Sequence, residues 1–369
     1  MSGPKLAPKW KRHVQTVALI TLVYVLFGLL VSLYNYSLLS DYVNPENFGR
    51  YNPTLDILIN VIIGLIAGII GGSGAIWLNQ ELFRKRSYGY SLLTTFILFT
   101  LLFTIITLIV AITSISFREP TEANPGTIWN RLVDFIFDPV TATFFIIWSN
   151  IVVFTIFLLQ VNDKFGPGVL KKFLLGKYHR PREEERIFMF LDMRSSTTIA
   201  EKLGNTVYFN LLYEVFSDLT PAIVRFRGEI YQYVGDEIVV SWEIPKGVKQ
   251  SNCIRCFYAI QDTLQTRAGR YTHKFGVAPE FKAGIHHGRV TAGEIGQIKR
   301  DIVYSGDVLN TTARIQEQCN KLGVSFLISG ATLALVNPSE AFQAQAMGQI
   351  NLRGKQDRVD LYTINILRH

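Results

Sequence analysis

The chain has 369 residues, of which 49% are hydrophobic and only 18% charged, and its formal net charge is +8. That length exceeds one ordinary domain, and the balance is too apolar for a wholly water-soluble protein, so a membrane portion is expected. The basic excess does not read as a nucleic-acid footprint, because the Lys and Arg clusters flank apolar spans.

Four apolar runs, at 14–38, 57–78, 92–116 and 140–161, are each long enough to cross a bilayer, and none contains Asp, Glu, Lys, Arg or His. The first is too long for a signal peptide, lacks a clear small-residue cleavage site, and reads as a true span. Lys5, Lys9, Lys11 and Arg12 precede it. Arg84, Lys85 and Arg86 separate the second and third spans, and Lys164, Lys171, Lys172, Lys177, Arg180 and Arg182 follow the fourth. The loops at 40–56 and 117–139 carry few basic residues. Positive charge stays inside, so a multi-pass protein of the inner membrane is predicted, with its N-terminus and C-terminal half in the cytoplasm. Gly64, Gly68 and Gly72 make a small-residue face for close helix packing, within or between protomers. The lack of intramembrane charge argues against a channel or transporter and removes ligands for haem or retinal. In the outer loop, Ile128, Trp129, Leu132, Val133, Phe135 and Ile136 form a short amphipathic stretch suited to the membrane surface.

The connector, 162–185, opens with Gly166, Pro167 and Gly168, which end the fourth helix. Val169, Leu170, Phe173 and Leu174 then oppose Lys171 and Lys172, the pattern of a basic amphipathic helix at the inner leaflet, with Pro181 marking its end. Glu183, Glu184 and Glu185 read as a solvated charge run.

From Arg186 onward strands and helices alternate. An apolar strand, 187–191, ends on Asp192, followed by Arg194, Ser195, Ser196, Thr197 and Thr198 at a helix start. A carboxylate delivered to a helix N-terminus suits a metal and a phosphate chain, and it equally suits a helix cap. The helix is expected over 195–224. Strands at 229–234 and 237–242 flank Gly235-Asp236, a hairpin signal in which Asp236 is a second ligand or only a turn residue. A helix at 252–269 holds Cys253 and Cys256, whose spacing within an apolar pattern points to core packing, and with Cys319 they fit a reducing compartment. Strands at 280–293 and 299–304 precede a helix capped by Asp307, on which Asn310 and Arg314 share one face. Strands at 326–328, 341–350 and 357–364 close the chain, with a helical turn between. His286 and His287 lie in a strand and read as packing or surface residues. The fold class is α-helical in the membrane and α+β beyond it, a mixed or largely antiparallel sheet covered by helices.

Four ordered motifs, FLDMRSSTTIAEKLG, YVGDEIVV, GIHHGRVTAGEIG and YSGDVLNTTARIQ, resemble the class III nucleotidyl cyclase catalytic domain over about 185–366. The resemblance implies a ferredoxin-like core; with the apolar spans and the basic connector it gives three domains: a transmembrane domain at 1–161, the connector at 162–185 and the catalytic domain at 186–369. It implies that Asp192 and Asp236 bind two divalent cations, Mg or Mn, with the Met193 carbonyl as a further ligand. Ser195, Ser196 and Thr197 match the loop that holds the β- and γ-phosphates of a nucleoside triphosphate. Asn310 matches the residue that positions the ribose, and Arg314 the one that neutralises the α-phosphate. Arg353 falls near a phosphate-binding lysine. Sites shared across a homodimer are implied, with 288–300 as the dimer-forming hairpin. Gln232 and Val303 occupy the purine-selecting positions, where the family usually has lysine with aspartate or threonine for adenine, and glutamate with cysteine for guanine. Neither matches, and ATP is the expected substrate on family frequency. The hairpin also looks like part of a diguanylate cyclase signature, but Val234 replaces its first glycine.

Overall fold

The computed structural model describes residues 9–42, 52–81, 87–118, 129–130, 133, 137, 139–165, 176–298, 300–339, 342–351 and 358–366. Arg353, the basic residues 84–86, the connector segment 166–175 and most of the amphipathic outer stretch lie outside these residues. The chain divides into two compact units, Met1–Phe165 and Gly166–His369.

In the first unit, helix α1 is Lys9–Tyr42. Helix α2 starts at Pro53–Ile66, passes through a π-helical turn, Ala67–Gly71, and continues as Gly72–Glu81. Its N-terminus is set by Asn52, whose side chain accepts from the Thr54 and Leu55 amides, and by Pro53 in the first turn. Helices α3, Tyr88–Arg118, and α4, Pro139–Phe165, follow. Two stretches, His13–Ser37 and Pro53–Gly74, are long and apolar enough to cross a membrane. In the other two helices the described residues give shorter apolar stretches, Gly89–Leu102 and Phe145–Val161.

The glycine face of α2 lies against α1 of the same chain. A Cβ at Gly64 would fall 2.8 Å from the Tyr24 carbonyl oxygen, and one at Gly28 on α1 would fall 2.5 Å from that of Asn60. Two backbones meet there, so the small-residue repeat forms a seam within one protomer. Polar pins border the seam: Asn60 Nδ2 donates to Ser32 Oγ at 3.1 Å, and Asn35 Nδ2 to Asp56 Oδ1 at 3.2 Å.

The second unit is built on an eight-stranded mixed sheet. Its strands are β1 Arg182–Met193, β2 Glu229–Val234, β3 Glu237–Glu243, β4 Phe281–Ile295, β5 Asp301–Ser305, β6 Phe326–Ser329, β7 Phe342–Asn351 and β8 Arg358–Ile366. The order is β2-β3-β1-β4-β6-β8-β7, with β5 paired to the far end of β4. Among the described residues only β4 and β6 pair in parallel. Helices α5 Ser196–Leu203 and α6 Asn205–Arg225 follow β1. A short α7, Ile244–Val248, precedes α8, Asn252–Phe275; α9 is Asp307–Lys321 and α10 is Gly330–Val336.

Strand β1 is central and buried on both faces, which is why it reads as an unbroken apolar run. Ile187, Met189 and Leu191 join the core under α6 and α8; Phe188 and Phe190 join a second core with Val239, Val290 and Val308. The helix expected over 195–224 is two helices, broken at Gly204, whose φ of +72° favours glycine. Glu183, Glu184 and Glu185 are not a free charge run. They extend β1 and pair in register with Thr291, Val290 and Arg289 of β4. Cys253, Cys256 and Cys319 are free and buried, and burial pushes the Cys253 and Cys319 thiols up to about 12. His286 and His287 pack against α10, their Nδ1 atoms 2.7 Å from Ser329 Oγ and 3.0 Å from Thr332 Oγ1.

Candidate active site

The C-terminal end of β1 carries Asp192 onto the same face of the sheet as Phe188 and Phe190. The neighbouring strands then determine its surroundings: in register, Glu237 of β3 lies opposite on one side and Lys282 of β4 on the other. Asp236 reaches the same corner from the β2–β3 hairpin, whose turn begins at Gly235 with φ of +59°. The Asp192 and Asp236 side chains lie within hydrogen-bonding reach of each other.

Burial raises the Asp192 carboxyl above its usual range; Asp236 adds to the rise and Lys282 opposes it. Glu237 is pushed up to about 7, first by burial and then by Asp192 and Asp236. Two groups moderate this negative corner. Lys282 Nζ lies 3.1 Å from Asp192 Oδ2, and Gln316 Nε2 of α9 donates to the same oxygen at 2.9 Å. Glu237 and Gln316 lie inside the quoted motifs, but nothing local in the sequence assigns them, or Lys282, to this corner. Each is placed by strand register or helix docking across a long stretch of chain.

Beside the corner, Ser195 precedes α5 in the left-handed region, φ +54° and ψ +30°, and its side chain makes no capping hydrogen bond. The first intrahelical bond is Ile199 N to Ser195 O, at 3.0 Å. The amides of Ser196, Thr197 and Thr198 therefore form an uncapped helix start next to the carboxylates, a favourable place for phosphate oxygens. Tyr208 closes this side, bonded to Ser196; burial raises its hydroxyl pKa, with Asp236 and Asp192 adding to the rise.

Asn310 and Arg314 lie on α9 but not on its buried face, which is formed by Val308, Thr311, Thr312, Ile315, Gln316 and Cys319. At about 100° per residue, Arg314 is turned roughly 200° from Gln316 and only about 40° from Asn310. The helix thus offers one face to the Asp192 corner of its own chain and the Asn310/Arg314 pair away from it.

Gln232 is exposed on β2, and Val303, half-buried on β5, pairs with Gly293. Their sequence neighbours tie the two strands together. The Tyr231 and Tyr304 rings meet edge to face with centroids 4.9 Å apart, and the Tyr304 amide donates to the Tyr231 hydroxyl at 3.2 Å. Arg186, fully buried, stacks its guanidinium over Tyr304 and donates to Glu229 Oε2 at 2.7 Å.

Among the described residues, no three His, Cys, Asp or Glu side chains are arranged to hold an ion. Two carboxylates and the Met193 carbonyl nevertheless suit hard cations whose remaining ligands come from a phosphorylated substrate and water. Burial lifts Asp192 and Glu237 first and mutual repulsion adds to it; a divalent ion would offset both, so the residues present fit such a metal.

This chain is similar to Adenylate cyclase 2 of Rhizobium meliloti, 33% identical over 209 residues, which cover 57% of this chain and 58% of that protein. It is also similar to Adenylate cyclase 1 of the same organism, 26% identical over 49% of this chain and 27% of that protein. The match therefore spans 58% or less of the length of these curated relatives. The crystal structure of the adenylyl cyclase CyaB from P. aeruginosa shares 20% identity, covering 51% of this chain and 97% of that one, with a TM-score of 0.45. The family model for the adenylate and guanylate cyclase catalytic domain matches residues 179–366, and the chain belongs to that family.

Proposed function

We propose that the protein is a membrane-bound adenylate cyclase that converts ATP to the 3′,5′-cyclic monophosphate and pyrophosphate. The observation that carries this reading is the meeting of Asp192 and Asp236 beside the uncapped start of α5. ATP is favoured over GTP because the relatives cited above are named adenylate cyclases. Gln232 both donates and accepts, and so does not choose a base.

Asp192, Asp236 and the Met193 carbonyl would hold two Mg or Mn ions. When bound, these ions lower the pKa of the ribose 3′-hydroxyl and balance charge on the triphosphate and its leaving group. The amides at Ser195, Ser196 and Thr197 orient the β- and γ-phosphates. Asn310 positions the ribose. Arg314 presents a fixed positive fork to the charge that grows on the α-phosphate oxygens. Arg353 is assigned to the phosphates from sequence alone. Because Asn310 and Arg314 turn away from Gln316 and the corner it touches, we assign them to the site of a second copy, giving two equivalent sites in a head-to-tail homodimer. The first unit anchors the enzyme as four spans, 1–161, followed by the connector at 162–185, with the catalytic part at 186–369 cytoplasmic. The flanking basic clusters support this topology, and the two apolar helices of membrane length support the first two of its spans.

The test is product formation by the purified full-length protein with ATP or GTP and Mg or Mn. Cyclic AMP is the expected product, and no cyclic nucleotide under any of these conditions sinks the proposal. Asp192→Ala and Arg314→Ala chains are each expected to be inactive alone and to regain activity when mixed. A mixture that forms mixed dimers but stays inactive overturns the shared site.

A further inference from the structure

We infer that Gln316 is a positioning residue for the metal-binding carboxylate of its own chain, acting on Asp192 from the helix that carries Arg314 for the partner's site. The inference rests on the cyclase reading above; Gln316 closes the motif YSGDVLNTTARIQ, but nothing in the sequence assigns it a role.

Gln316 is 5% exposed, and its amide nitrogen donates to Asp192 Oδ2 at 2.9 Å, bridging 124 residues of sequence. Backbone contact fixes its location. Gly284 of β4 lies directly beneath it, and a Cβ there would fall 2.8 Å from Gln316 Cα and closer still to its backbone nitrogen. Gly284 in turn pairs in register with Phe190, two residues before Asp192. The separation between α9 and the end of β1 is therefore set by a glycine contact that leaves no slack.

Gln316 and Lys282 converge on one oxygen of Asp192. Pinning Oδ2 fixes the rotation of the carboxylate about its Cβ–Cγ bond, which determines where the other oxygen points. The two donors are not equivalent. Lys282 already places one positive charge beside Asp192, Asp236 and Glu237, and a second cation at 316 would compete with the metals for the corner. A neutral amide orients the carboxylate without that electrostatic cost.

The experiment uses the full-length protein and reads Mn binding directly, by the electron paramagnetic resonance of free Mn. Gln316→Met keeps the length of the side chain and removes the donor. It is expected to weaken Mn binding by roughly 10- to 100-fold, the usual effect of losing a partner that orients a ligand. Wild-type protein that binds no Mn overturns the cyclase reading and this inference together. Mn binding in wild type that is unchanged in Gln316→Met overturns the inference alone. Mixed dimers then separate positioning from general damage. Arg314→Ala and Asp192→Ala chains together leave one live site, whose Asp192 comes from the Arg314→Ala chain. Gln316→Met on that chain should raise the Mn concentration needed for half-maximal rate. The same substitution on the Asp192→Ala chain should leave it at the wild-type value and serves as the folding control. An equal effect from either chain, or none from both, refutes the assignment.

Discussion

At the carboxylate corner Lys282 and Gln316 hold one oxygen of Asp192, while Asp236 and Glu237 stand beside it and the side chain stays 23% exposed. At the purine edge proposed above, 232 and 303, the backbone is held just as firmly by Tyr231, Tyr304 and buried Arg186, yet Gln232 is exposed and Val303 only half-buried. One region fixes its side chains and the other fixes only its strands. The difference leads us to expect that Asp192 and Asp236 tolerate little substitution, whereas 232 and 303 can be exchanged on a rigid frame.

The sharpest way to break this comparison is at the corner. Asp236→Ala is expected to lower the rate by roughly 1000-fold or more, at least the scale of losing one preorganised electrostatic partner of the transition state. The thermal midpoint should hold or rise, because removing one of three crowded carboxylates relieves repulsion. Steady-state rates and a circular-dichroism melt check both halves. A variant that keeps a tenth of the wild-type rate would place the chemistry elsewhere.

How much of this was readable beforehand follows the same division. Asp192 and Asp236 are legible because each stands at a strand end followed by turn or helix-start residues, and the β2–β3 hairpin appears where Gly235-Asp236 predicts it. That Asn310 and Arg314 share one face of α9 is legible from their i, i+4 spacing, whereas their assignment to the site comes from the family resemblance. Lys282 and Glu237 are not, because what matters is their cross-strand register to Asp192, and register is a property of two strands at once. The three glutamates at 183–185 mislead for a related reason. Charge predicts solvent, and Glu183 and Glu185 are exposed, but β4 is long enough to recruit the backbone, and Glu184 turns inward to buried Arg186, at 3.1 Å. Gly64, Gly68 and Gly72 announce a close approach without naming the partner, which is α1.

At the purine edge the comparison predicts exchange without collapse. Gln232→Lys with Val303→Asp should raise the ratio of kcat/KM for ATP over GTP by roughly 10-fold or more, about what one or two matched hydrogen bonds supply. Gln232→Glu with Val303→Cys should move the ratio toward GTP. In both doubles the rate with the favoured nucleotide should stay near wild type, because the corner is untouched. Equal losses with both nucleotides would show that these positions support the fold and do not read the base.

The smallest effect concerns protons at the corner. The Glu237 carboxyl is raised from its ordinary value of 4.5 to about 7, so the folded, metal-free protein holds that proton more tightly than the unfolded chain does. A group shifted in this direction contributes stability below about pH 4.5 that is lost as pH rises through about 7. Metal-free protein is therefore expected to melt at progressively lower temperature across that interval, and the gain in melting temperature on adding Mn should grow over the same interval. Glu237→Gln, which keeps the size of the side chain and removes the ionisation, should flatten both trends without abolishing Mn binding, since Asp192 and Asp236 remain. Differential scanning calorimetry with and without chelator makes the comparison. An unchanged slope in Glu237→Gln would mean that the proton responsible belongs to a different group and that Glu237 does not share the charge of the corner.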